Sequence, residues 1–228
     1  LSIVWDTLTG ICDNFIETFE HTGTEIQEPG MERFNNSGWI NRVWTSKKYR
    51  RAHIDVVDAR DSKGLWMMHC CIFPHLQNDG PVFGFDVIAG KNKITGCFHD
   101  LSATQNPNHI MIENFGKEVD NLEWRKKRDL PDWAKAIFSE HMVSAGNVRD
   151  EKELGQISDL AKNSIYAYID EIDFFNDMGD SNQGKLSQNR YAYYQKQNPH
   201  TPRTMAALGL DETDVSNFIE FCLFPEIK

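Results

Sequence analysis

"HIDVVDARDSKGLWMMHCCIFPHLQNDGPVFGFDVIAG", residues 53–90, is the stretch on which the fold turns. Three strand-like runs, "HIDVV" (53–57), "LWMMHCCIF" (65–73) and "VFGFDVIAG" (82–90), are separated by the turn-forming "DSKG" (61–64) and "QNDGP" (77–81). Connections this short join antiparallel neighbours. Each run carries a titratable side chain in apolar surroundings. Side-chain alternation puts His53 and Asp55 on one face of the first run, His69 with Met67 and Cys71 on one face of the second, and Asp86 with Val82, Gly84 and Ile88 on one face of the third. An unpaired ion in such a place costs several kcal/mol, so these groups are paired, shifted in pKa or functional. Adjacent strands can bring His69 and Asp86 within hydrogen-bond reach, and Gly84 leaves room for a ligand near the backbone. The alternative is a structural set of polar residues that only satisfy one another.

Outward from this stretch, the β pattern extends over residues 37–100, with "GKNK" (90–93) as a further turn. An amphipathic helix is predicted before it, over "WDTLTGICDNFIETFEH" (5–21). After "DLP" (129–131) the pattern turns helical in "PDWAKAIFSEHM" (131–142), "EKELGQISDLAKNSIYAYIDEI" (151–172), "GKLSQNRYAYYQKQ" (184–197) and "DETDVSNFIEFCLF" (211–224). Helices gathered on both sides of an antiparallel sheet predict an α/β/α sandwich, and 228 residues suffice for one domain with a full core. No repeat or low-complexity tract suggests otherwise.

The formal net charge of −10 argues against general binding to nucleic acid or anionic membranes. Residues 1–128 hold 15 basic and 17 acidic side chains, and residues 129–228 hold 9 and 17. "KKYRR" (47–51) and "RKKR" (125–128) therefore stand out as basic clusters: either a docking patch for an acidic partner or two solvated turns. Five cysteines without CxxC spacing fit a reducing, cytoplasmic setting. No apolar run approaches the roughly 20 residues that cross a bilayer, and residue 1 is Leu, which leaves targeting open. Glycine-rich nucleotide loops, H-E-x-x-H and G-x-S-x-G are absent, the eight histidines lack metal-ligand spacing, and "YAYYQ" (191–195) reads as helix packing.

Several motifs in a single order carry a family resemblance: residues 49–105, from "YRRAHIDVV" to "LSATQ", then "RDLPDWAKAIFSEH" (128–141) and, more weakly, "QKQNPHTPR" (195–203). Together they resemble the ferredoxin-dependent bilin reductases, the phycocyanobilin-forming branch most of all. The resemblance implies an α/β/α sandwich that binds biliverdin IXα between its sheet and its C-terminal helices. It also implies no bound flavin, nicotinamide or metal, single electrons from reduced [2Fe-2S] ferredoxin in a transient electrostatic complex, and protons donated by the protein to substrate radicals. A monomer working in the cytoplasm of a cyanobacterium or a phage-infected host is expected.

By motif position, His69 resembles the histidine that meets the pigment's lactam region and Asp86 the central aspartate that protonates it. His53 matches a second pocket histidine. Arg128 matches a residue that meets a propionate, Thr95 stands where a serine often helps, and Asn198 lies on the segment over the pigment's other face. His200 occupies a lysine position of the close relatives. Asp55 departs from the pattern, since the phycocyanobilin-forming members carry glutamate in His-x-Glu and use it on the D-ring vinyl group. Shortening that acid withdraws the proton by more than about 1 Å, enough to matter where position sets rate. Reduction at the C15 methine bridge and then at the A-ring, giving phycoerythrobilin through 15,16-dihydrobiliverdin, is the expected outcome, as in some phage-derived relatives. Phycocyanobilin formation and a non-catalytic bilin carrier are the alternatives.

Overall fold

The computed structural model describes residues 2–228. Its sheet contains β1 (Thr24–Ile26), β2 (Trp39–Thr45), β3 (Arg51–Ala59), β4 (Leu65–Phe73), β5 (Val82–Gly90), β6 (Lys93–Ser102) and β7 (Val143–Ala145). The strands lie in sequence order, each antiparallel to the next. The helices are α1 (Ile3–Thr22), α2 (Arg60–Lys63), α3 (Ile110–Val119), α4 (Asp132–Lys135), α5 (Glu151–Glu171), α6 (Ser181–Gln195), α7 (His200–Ala207) and α8 (Glu212–Asn217), the last running into a π-helical turn over Phe218–Leu223.

Alternation along the strands produces two cores, one on each face of the sheet. On one face Ile54, Met68, Cys70, Phe83, Phe85 and Val87 pack against α1, α3 and α5. Burial of Val4, Leu8, Ile11, Phe15 and Phe19 at helical spacing explains why α1 docks there, and the Ser2 side chain caps it by accepting from the Trp5 N–H. On the other face Val43, Val57, Cys71, Phe73 and Val82 meet Tyr191 of α6, Met205 of α7, Val215 of α8 and Phe218. The result is the expected α/β/α sandwich.

The hairpins form where the turn residues stand. Gly64 takes φ +61° to close the β3–β4 connection, a conformation that favours glycine. Gly184 serves another end: inside α6, a Cβ there would meet the Leu76 carbonyl oxygen at 2.0 Å, so glycine lets the helix sit down on the β4–β5 connection.

Two expectations need correction. The helix predicted over 131–142 is only the four-residue α4. Asp100 draws the chain away by accepting the Ser139 backbone N–H at 2.9 Å and its hydroxyl at 2.5 Å. Nor is "KKYRR" a basic patch. Tyr49 and Arg51 are buried, Lys48 pairs with Asp173 at 2.8 Å, and Arg50 donates to Gln188. Arg51 is a brace: it holds both carboxylate oxygens of Glu28, at 2.8 and 2.7 Å, and donates to the Cys222 carbonyl at 2.9 Å, tying the π-helical turn to the sheet.

Candidate active site

Register assembles the site. Asn41, Asp55, His69, Asp86 and Phe98 are successive cross-strand partners on β2 to β6, so they form one row across the sheet. Above it lies a cavity of about 700 Å³, within the range of small-molecule sites. Asp55, His69 and Asp86 are on its floor. Tyr191 and Gln195 of α6, residues at the start of α7, and Leu223 and Phe224 form the roof.

The row pairs His69 with Asp86, but their side chains form no hydrogen bond with each other. His69 Nε2 lies 3.5 Å from Cys71 Sγ, its ring packs edge-on to Phe224 at 5.3 Å, and its Nδ1 is buried with no partner. Asp86 is open to the cavity, with no side-chain bond. Asp55 is buried and accepts the Trp39 indole N–H on Oδ1 at 2.5 Å.

Burial in this setting disfavours charge. It pushes the Asp55 carboxyl up to about 7, against the Trp39 hydrogen bond and with help from the negative Asp86. Loss of bulk water raises Asp86 as well, to about 6, although its side chain is open to the cavity. It pushes His69 down to about 4, a shift the nearby Arg51 charge reinforces, and His53 well below its ordinary value. Near neutral pH the imidazoles are therefore neutral, and the two carboxyls keep a protonated fraction.

The other expected residues divide. Thr95, Arg128, Asn198 and His200 line the cavity. Thr95 Oγ1 donates to the Ile88 carbonyl at 2.9 Å, and Asn198 Oδ1 accepts the His200 backbone N–H at 3.0 Å at the start of α7. The Arg128 guanidinium lies over the Phe98 ring at 5.4 Å and has no carboxylate partner among the described residues. His53 stands apart. It is fully buried behind the wall, its Nε2 bonded to Asn41 Oδ1 at 2.9 Å, and it makes no part of the lining.

Sequence reasoning missed Lys93 and Lys126, which join Arg128 along the cavity, and Tyr191, whose hydroxyl accepts from Gln195 at 2.8 Å and lies 3.8 Å from Cys71 Sγ. Gly84 lines the cavity, as expected, and the Tyr191 hydroxyl stands 3.1 Å from where a Cβ would lie. The signals were present in "GKNK", "RKKR" and "YAYYQ", but turn, surface and core readings accounted for them equally well. Among the described residues no three His, Cys, Asp or Glu side chains gather as metal ligands, and no helix is long and apolar enough to cross a membrane.

An antiparallel sandwich with a ligand-sized cavity and protonatable acids on its floor defines a small-molecule enzyme site. The model of the ferredoxin-dependent bilin reductase family matches residues 10–225, and the chain belongs to that family of oxidoreductases acting on bilins. It is 30% identical over 189 residues to a phycocyanobilin:ferredoxin oxidoreductase of Prochlorococcus marinus, covering 81% of this chain and 74% of the relative. The same-named protein of Synechococcus sp. (strain CC9902) is 26% identical over 193 residues, with the same coverage. Among solved structures, PcyX superposes with a TM-score of 0.74 at 36% identity, over 97% of this chain and 99% of that one. Phytochromobilin synthase from tomato, in complex with biliverdin, has a TM-score of 0.73 at 16% identity, over 95% and 82%, a likeness of fold alone.

Proposed function

We propose that the chain reduces biliverdin IXα by four electrons to phycoerythrobilin, through 15,16-dihydrobiliverdin, with reduced [2Fe-2S] ferredoxin as donor and no resident redox cofactor. The observation that carries this reading is the row Asp55–His69–Asp86 on the cavity floor, with both acids raised into the range where they give up protons near neutral pH. Each double bond reduced takes two electrons, delivered singly, and two protons. Asp86, open to the cavity, is the first donor and Asp55 the second acid; each O–H bond breaks with its electron pair left on the carboxylate, which regains a proton from solvent. His69 stays neutral, and its partnerless Nδ1 suits a pigment lactam. Arg128, with Lys93 and Lys126, supplies positive charge for the two propionates.

The product assignment rests on Asp55. Its shorter side chain is held on one oxygen by Trp39, on the β2 side of the row, which withdraws it further from a vinyl group that glutamate would reach. Anaerobic incubation with biliverdin and a ferredoxin-reducing system, followed by chromatography against bilin standards, tests this. A blue-shifted 15,16-dihydrobiliverdin should appear first and phycoerythrobilin last. Phycocyanobilin, or an 18¹,18²-dihydro intermediate, as the main species would overturn the product assignment.

A further inference from the structure

We infer that Trp39 is a positioning residue for proton transfer: its indole N–H fixes which oxygen of Asp55 carries the proton and turns that oxygen toward the bilin. The inference rests on Asp55 being a proton donor, as proposed above.

The geometry is specific. Trp39 Nε1 lies 2.5 Å from Asp55 Oδ1, in a buried contact between β2 and β3. An indole N–H can only donate, so the oxygen facing it must be an acceptor. In the neutral acid that oxygen is the carbonyl, and the hydroxyl is left to Oδ2. Asp55 belongs to the cavity wall, and in the inferred arrangement the Oδ2 proton is the one directed to the ligand space. When that proton leaves for the reduced bilin, the electron pair stays on the carboxylate. The Trp39 bond then becomes charge-assisted and strengthens, which holds the conjugate base in place. The indole is itself immobilised, packed edge-on to Phe218 at 4.8 Å and tilted against Phe34 at 5.7 Å.

Other groups near Asp55 do not set this orientation. His53 and Arg51 share its strand, His69 faces it from β4, Asp86 lies one strand further, and Cys222 approaches from the π-helical turn. His53 is spent on Asn41 and Arg51 on Glu28 and Cys222. The Asn41 amide adds a lesser pull on the carboxyl than Trp39 does.

The test is a double-mutant cycle on the full chain with biliverdin and reduced ferredoxin. Trp39→Phe keeps an aromatic ring between Phe34 and Phe218 and removes the donor. It should lower kcat at least tenfold with the KM for biliverdin within a factor of two, and move the alkaline limb of the rate profile to higher pH, because Asp55 loses a bond that favours its charged form. In the Asp55→Asn background the same change should have no further effect on kcat. Multiplying losses in the double variant, or Trp39→Phe at the wild-type rate while Asp55→Asn is impaired, overturns the positioning role and leaves the donor role standing. Asp55→Asn at the wild-type rate overturns both. Infrared difference spectra of wild type minus Asp55→Asn, at pH 6 and without substrate, do not depend on Trp39→Phe folding. They should show a carboxylic-acid C=O band lowered by hydrogen bonding. A band at the free-carbonyl position overturns the inference.

Discussion

His69 and Asp86 face each other directly across β4 and β5 but are not bonded to each other, so the Asp86 carboxyl answers to the cavity and not to the imidazole. Asp86→Asn should therefore leave the sheet and biliverdin binding intact while stopping proton delivery. Turnover should fall by at least about 100-fold, the usual scale of general-acid catalysis. A one-electron-reduced bilin should accumulate and be visible by electron paramagnetic resonance. Wild-type turnover in this variant would remove Asp86 from the mechanism.

The acids also set a cost on the empty protein. Burial raises Asp55 from its ordinary 3.8 to about 7, so between those values the folded chain holds a proton that the unfolded chain releases. Stability from this group therefore falls as pH rises through that window and stays low above it. Asp55→Asn, which keeps an oxygen for the Trp39 N–H, should raise the stability of the pigment-free protein at pH 8 by about 2–4 kcal/mol. The gain should vanish near pH 4. Denaturant melts of both proteins at the two pH values check this.

Arg128 lies free of carboxylates beside the cavity, with Lys93 and Lys126 on the same wall. If these cations receive propionates, Arg128→Gln should weaken biliverdin binding by about tenfold, the scale of one charge-assisted hydrogen bond. Biliverdin dimethyl ester should bind wild type and variant alike. Equal loss for acid and ester would show that Arg128 shapes the cavity instead of reading charge.

Of the two basic clusters, only "RKKR" is exposed throughout, and it adjoins the cavity. Acidic ferredoxin should dock there, with a rate that falls as salt screens the approach beyond about 8 Å. Lys127→Glu should raise the KM for ferredoxin several-fold without changing biliverdin affinity, whereas Lys47→Glu, on the exposed tip of the other cluster, should change neither. Steady-state rates at subsaturating ferredoxin and two ionic strengths separate these outcomes.

The hairpins could be read from residues 53–90 because a period of two is local information, and so was the face on which His53, Asp55, His69 and Asp86 stand. Depth was not local. His53 and His69 have the same residue type and share the cavity-side face of the sheet, yet one row of register separates a buried histidine bonded to Asn41 from one on the cavity floor. The fate of "KKYRR" was equally out of reach: Arg51, Lys48 and Arg50 find Glu28, Asp173 and Gln188 at separations of 23, 125 and 138 residues. Charges in a run look solvated until distant partners claim them.

The strict sequence order of the seven strands has a consequence for how the site is assembled. Both acids of the row come from successive hairpins between residues 55 and 86, whereas Arg128 and the roof come from residue 128 onward. Contacts so close in sequence carry a small loop-closure cost, whereas those of the roof close loops of roughly a hundred residues. The acids are thus brought together by neighbouring hairpins, and the cover over them by contacts that span the chain.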